Sequence, residues 1–378
     1  MITQLTLLTA TTLLATSLAQ EQRWRDEFRL NFNYDLDAQR GPSNWDNVDV
    51  DDTEYEQYAN FHPIFDLDID ENECGRRVRP SPISLVKDSS CNDDHEILTR
   101  QINDDDCTRD SISFELTPHT LRAYFPEDDD DCERPTIEMD GNDDDPFILA
   151  WMEVHARSEH VIAGRRFDAE LQMVHMGTDN SDDEMATVSI MIDATAREDH
   201  AEFQYMLEGW QRAASEQTQR CESATRSLRT RKQVNANAYR EKLKNNQKKK
   251  EPSSTAQTET KSSQRRAQQC DSDNENCGPR RKMYPYSLWP SIHYYRYSGS
   301  LTTPPCSAVV NWRVLDKTME ISRRQYKQMV VLMGIYKDED CDDESAVSKT
   351  GENFRPLQRM NDDNQNVAHC TVDDFDFR

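Results

Sequence analysis

The sequence predicts a mostly β protein of the α+β class, and three observations predict it. Apolar runs with strand periodicity recur along the chain, turn residues punctuate them, and helical spacing stands out in two places. The first strand pair is read in FELTPHTLRAYF, Phe114 to Phe125, with Pro118 at its turn. Two apolar strands flank the turn IAGRR between Phe147 and Met176. Another is ATVSIMIDA, where Val188, Ile190 and Ile192 share one face because side chains alternate along a strand. Phe203, Met206, Leu207 and Trp210 then fall at i, i+3, i+4 and i+7, the apolar stripe of an amphipathic helix. A last helix starts at Ser322, where Gln325 completes a capping box and Ile321 with Tyr326 a hydrophobic staple.

Between these elements the chain is unusually polar. Residues 1–19 are apolar, with Ser17 and Ala19 as small residues before a cleavage point, and read as a secretory signal that leaves a domain over residues 24–378. Residues 24–60 are acidic and aromatic. Asp66, Asp68 and Asp70 imitate the start of a calcium loop, but Glu71 replaces the turn glycine and Arg77 the bidentate Glu. Three runs, Asp104–Asp106, Asp128–Asp131 and Asp143–Asp145, read as solvated loop tips with mineral-ion binding as the alternative. Residues 211–282 hold 18 Lys or Arg against 8 Asp or Glu, so the segment is +10 in a chain of −26 and the remainder is −36. So polar a segment reads as a basic insertion within the domain, disordered or at best loosely helical, solvated or engaging polyanions.

The net charge argues against nucleic acid as a partner, since phosphate backbones need a basic surface. No run of 18 apolar residues follows the signal, so no stable membrane insertion is expected. The 10 cysteines read as disulfides behind a secretory signal; none forms a CxxC pair, and spacing leaves their pairing open.

In WMEVHARSEH, Trp151 to His160, Glu153 and His155 lie on one face of a strand while Met152, Val154 and Ala156 lie on the other. Further along stands YSGSLTTPPCSAVVNW, Tyr297 to Trp312. With this stretch the chain closely resembles the alpha-class carbonic anhydrases. Four further elements follow that family's order: GPSNW (Gly41–Trp45) with Tyr34, RPSPISL (Arg79–Leu85), HARSEHVIAGRRFDAELQMVH (His155–His175) and ENFRPLQ (Glu352–Gln358). The resemblance runs from Tyr34 to about Asn361, apart from the insertion. It implies a large central twisted sheet with short surface helices.

The resemblance also implies a site: zinc held by three neutral imidazoles with an open fourth position, where bound water of pKa about 7 hydrates carbon dioxide to bicarbonate. Mapped onto this chain, the ligand positions hold Glu153, His155 and Gln172, so one imidazole of three is kept. Thr302 resembles the gatekeeper threonine that hydrogen-bonds a carboxylate, here Glu159. Glu170 and His160 match buried groups behind the ligands, while Val174, Leu301, Val310 and Trp312 match the apolar substrate pocket and Thr303 a hydroxyl beside it. The family's proton-shuttle histidine finds no counterpart near Ser111, and His175 is expected on the face away from Gln172. Secreted members often carry a disulfide that maps onto Cys74 and Cys306.

Three functions follow as expectations. The first is a secreted homologue that binds zinc weakly and has weak or lost activity, because second-shell changes alone cost roughly 10 to 100-fold in affinity and two first-shell ligands differ here. A second is a working enzyme with an unusual ligand set, and a third a silent binding or matrix protein using the acidic loops or the basic insertion.

Overall fold

The computed structural model describes residues 32–36, 38–48, 72–76, 78–86, 89–91, 97–99, 107, 111–125, 132–139, 146–177, 185–245, 284–338, 340–360 and 367–372. The secretory signal, the Asp66–Asp70 stretch, the three Asp runs and residues 246–282 of the insertion lie outside these. The chain divides into two compact units, Met1–Ala214 with Lys282–Arg378, and Ser215–Arg281.

The first unit is built on strands. In chain order they are Ser84–Leu85 (β1), Ser89–Ser90 (β2), Ile97–Thr99 (β3), Ser113–Leu116 (β4), Leu121–Tyr124 (β5), Thr136–Met139 (β6) and Phe147–Ala156 (β7). Then come Val161–Ile162 (β8), Arg165–Arg166 (β9), Ala169–Met176 (β10), Met185–Ala196 (β11), His293–Gly299 (β12), Val310–Ser322 (β13) and Ala368–Thr371 (β14). One large sheet runs β2-β14-β12-β13-β11-β10-β7-β5-β4, with β6 also on β7 and β3 on β6. Its central pairs β7–β10 and β10–β11 are antiparallel, while β11 and β13 are parallel. A parallel pair needs a long crossover, and here the connection contains a helix, Ala201–Asn245 (α1).

Strand periodicity decides the layers. Val154 and Ala156 of β7, Leu171 and Met173 of β10 and Val188, Ile190 and Ile192 of β11 point to one side and form the main core with Phe203, Met206, Leu207 and Trp210 of α1, all four fully buried. The other side of the same strands buries polar groups. Gly209 lies where α1 crosses the sheet, and a Cβ there would stand 2.5 Å from the Phe114 ring, so only glycine allows this approach. A second helix, Arg323–Met333 (α2), begins with the predicted capping box: the Ser322 side chain accepts from the Gln325 amide and Gln325 returns the bond.

Of the two readings of the basic segment, disordered or loosely helical, the described part is helical, because α1 continues to Asn245. Between Trp210 and Asn245 there is no Gly or Pro and the sequence is rich in Ala, Arg and Gln, so propensity favours a continuous helix. Among the described residues the disulfides Cys74–Cys306, Cys91–Cys370 and Cys107–Cys132 are formed, the first being the pair implied by the resemblance, and Cys221 and Cys341 are disulfide-bonded as well.

Candidate active site

The buried polar face is a set of cross-strand rows. Register places Arg122 of β5 opposite Glu153 of β7, Glu153 opposite Gln172 of β10, and Gln172 opposite Ser189 of β11. One step along, Glu170 pairs with His155. Residues two apart share a face, so Glu153, His155, Glu170 and Gln172 converge, as the spacing of WMEVHARSEH predicts. Three residues from Gln172, His175 falls on the opposite side of β10, where it meets the Ala186 carbonyl at 3.2 Å and the Tyr286 hydroxyl at 3.0 Å.

Every charged group on this face has a partner. Arg122 Nε donates to Glu153 Oε2 at 2.8 Å and Trp151 Nε1 donates to the same oxygen at 3.2 Å. His155 Nδ1 donates to the Asn353 carbonyl at 2.8 Å, and its Nε2 lies 3.7 Å from Glu153 Oε1, buried and without a hydrogen-bond partner. Gln172 Nε2 donates to Glu159 Oε2 at 2.9 Å and to Glu170 Oε1 at 3.1 Å. Two carboxylate acceptors on one atom fix the orientation of this amide, because the flipped form would set oxygen against oxygen. Glu170 further accepts from the backbone amides of Glu159 and His160, from His160 Nδ1 and from Ser189 Oγ at 2.6 to 2.8 Å.

Electrostatics follow from this arrangement. Burial opposes charge on Glu153, but the Arg122 guanidinium and His155 outweigh it and hold the carboxyl at about 2. Burial likewise opposes charge on His155, yet Glu159, Glu153 and the Asn353 carbonyl push it up to about 10. For Glu170 the cost of burial is outweighed by His160 and by Ser189, holding it at about 2. Each buried charge on this face therefore sits beside an opposite one.

The remaining predicted residues distribute as follows. His160 and Glu170 are together behind the ligand positions, with His160 Nε2 meeting the Tyr297 hydroxyl at 2.6 Å. Val174, Val310 and Trp312 belong to one apolar cluster against which Leu301 packs, so the expected pocket residues do assemble. Thr303 lies on the neighbouring loop, its carbonyl accepting from the Cys306 amide at 2.8 Å. Thr302 is buried, but the expected bond to Glu159 is absent among the described residues. Glu159 instead accepts from Gln172 Nε2 through one oxygen and from the Arg355 amide, at 2.9 Å, through the other.

Sequence reasoning missed four residues. Arg122 gave no motif signal, since its role depends on β5 pairing with β7. Asn353 and Arg355 stand inside ENFRPLQ but their work was not legible there: the Asn353 side chain ties to Ala156, His119 and Val154, and Arg355 bonds the carbonyls of Ser81, Leu301 and Cys74. His119 lies on the turn between β4 and β5. It stacks on Phe32 at 4.0 Å with both ring nitrogens unpartnered. Burial, with Arg122 nearby, lowers its pKa to about 3, so it stays neutral and does not exchange protons near pH 7.

The donor set was tested against the family's metal. His155 Nε2 suits a zinc ion, but the other two positions supply oxygen. Glu153 shares one oxygen with Arg122 and Trp151, and Gln172 has only a neutral amide oxygen left once its nitrogen is engaged. Among the described residues no group of three or more His, Cys, Asp or Glu is arranged to hold a metal ion. These residues do not fit a three-imidazole zinc centre.

Fold and site together define a large-sheet protein with a buried imidazole–carboxylate centre. The model of the eukaryotic-type carbonic anhydrases matches residues 68–241 and 242–367, and the chain belongs to that family. Similar relatives include alpha carbonic anhydrase 7 of Arabidopsis thaliana, 25% identical over 321 residues, which cover 85% of this chain and 83% of the relative. Over shorter stretches the chain is similar to carbonic anhydrase 4 of Oryctolagus cuniculus, 35% identical over 92 residues (22% of this chain, 28% of the relative). The N66 matrix protein of Pinctada maxima is 43% identical over 67 residues, 18% of this chain and 11% of that one. Among solved structures, the alpha-carbonic anhydrase of Thermovibrio ammonificans with sulfanilamide aligns with TM-score 0.48 at 18% identity, over 89% of this chain and 98% of that one.

Proposed function

We propose that this domain keeps the carbonic anhydrase scaffold and its apolar pocket but hydrates carbon dioxide slowly or not at all. Gln172 carries the reading. Its amide nitrogen is held by Glu159 and Glu170, so the third ligand position is committed to a hydrogen-bonded polar network. The family's zinc supplies an acidic water; a network closed on itself supplies none. Glu159 is drawn into the same network, accepting from Gln172 and the Arg355 amide, and among the described residues it makes no bond to Thr302. Bicarbonate and carbon dioxide remain the ligands the pocket residues Val174, Leu301, Val310 and Trp312 would admit.

The test is metal content of the secreted, untagged protein by mass spectrometry beside stopped-flow carbon dioxide hydration. The expectation is far less than one zinc per chain and turnover near the uncatalysed rate. Stoichiometric zinc with inhibitor-sensitive turnover would overturn the reading.

A second reading is a binding role for the basic segment, in a secreted protein whose first 19 residues are a signal. It is favoured by the continuous helix to Asn245, whose sequence from residue 211 holds 9 Lys or Arg against 3 Glu, a charge balance suited to polyanions. Converting Arg226, Arg229, Arg231 and Lys232 to Gln should lower the salt needed for elution from heparin, and unchanged elution would dismiss it.

A further inference from the structure

We propose that Arg122 is the residue that closes the metal position, its guanidinium replacing a bound cation as the counter-charge of Glu153. This rests on the reading that the site holds no zinc, and goes further by assigning the cause. Counting ligands blames Glu153 and Gln172 alone, yet the geometry around them is not hostile to a cation. Glu153 Oε1 stands 3.7 Å from the unpartnered His155 Nε2, too far for a hydrogen bond and close to the separation of two ligands on one ion. Gln172 holds its nitrogen toward Glu159 and Glu170, which leaves its oxygen as a third neutral donor. One imidazole nitrogen and two oxygens are the donor types that an oxygen-tolerant divalent ion takes.

What stands against it is charge. Arg122 lies directly opposite Glu153 in the ladder and donates to it at 2.8 Å, with both side chains only 12% exposed. A dication bound by Glu153 and His155 would share its one carboxylate with a permanently charged guanidinium. In a poorly screened interior that repulsion is large, and an arginine cannot escape it by losing its proton. Restoring the two histidines alone does not remove this repulsion: Glu153→His takes away a carboxylate bonded to Arg122 and keeps the guanidinium beside the site. Arg122 is in this sense a specificity-determining residue, and its effect travels through Glu153.

The test reads metal binding with zinc and with cobalt, whose visible spectrum reports coordination independently of turnover. R122N should bind either metal roughly tenfold to a hundredfold tighter than the unmodified protein, the range over which groups behind a ligand tune affinity. R122K, which keeps the charge, should not gain. In the second comparison E153H/Q172H should bind substoichiometrically and R122N/E153H/Q172H one ion per chain. This pair keeps the question open to refutation where R122N alone does not fold. Equal affinity of E153H/Q172H with and without Arg122 would overturn the role of Arg122 while leaving the proposed function standing. Stoichiometric zinc in the unmodified protein would overturn both.

Discussion

Gln172 faces Glu153 directly across the β7–β10 ladder, so two of the positions that the resemblance assigns to metal ligands are cross-strand neighbours. Each is held by its own partners, Glu153 by Arg122 and Trp151 and Gln172 by Glu159 and Glu170. Buried polar groups need such partners. His155 Nε2, at the remaining ligand position, is buried and left without a hydrogen bond.

Gln172 therefore has a measurable structural role. Gln172→Leu removes a donor shared by two buried carboxylates and should cost about 2 to 4 kcal/mol of stability by urea unfolding, because unsatisfied buried charges are expensive. Gln172→Glu should be worse at pH 7, since it places a third carboxylate against two others. A neutral effect of both would show that the network is not closed as described.

The buried histidines predict acid sensitivity. His119 and His175 are each held at about 3 by burial, below the ordinary value of 6.5. The unfolded chain then binds more protons between these values, so stability falls as pH drops from 6.5 toward 3, by about 1.4 kcal/mol per pH unit for each group. His119 forms no ring hydrogen bond, which makes His119→Phe a clean probe. That variant should show a shallower fall in melting temperature across this window; an unchanged slope would place the sensitivity elsewhere.

The Cys74–Cys306 disulfide closes a sequence separation of 232 residues and joins the segment before RPSPISL to the loop after Thr302 and Thr303. In the chain-entropy model its loss costs roughly 5 kcal/mol. C74S/C306S should unfold at markedly lower denaturant, and Arg355, which bonds the carbonyls of both Cys74 and Leu301, should become more important in that background.

Helix α2 offers a local test. Ser322 Oγ accepts from the Gln325 amide and also bonds Asp199. Ser322→Ala should cost about 1 to 2 kcal/mol, and Ser322→Asp, which can still cap but meets Asp199, should recover only part of it.

Much of this molecule was legible in the sequence, and the limits have physical causes. Strand alternation is a local property, so the faces of β7, β10 and β11 and the burial of Phe203, Met206, Leu207 and Trp210 could be read from spacing alone. The motif order implied the family, the Cys74–Cys306 pair and the convergence of Glu153, His155 and Gln172. Apolar content left the segment after Trp210 between disorder and loose helix, and the absence of Gly and Pro up to Asn245 is the signal that favours the helix.

Sequence by itself determined which side chains share a face and which ligand positions had changed. Only the tertiary structure decided what those changes mean. Arg122 is 31 residues from Glu153 along the chain and Asn353 is 198 from His155, and no local periodicity encodes such pairs. Strand registry brings them together, and burial makes the pairing matter, because an opposite charge or hydrogen-bond partner becomes a requirement only where water is excluded.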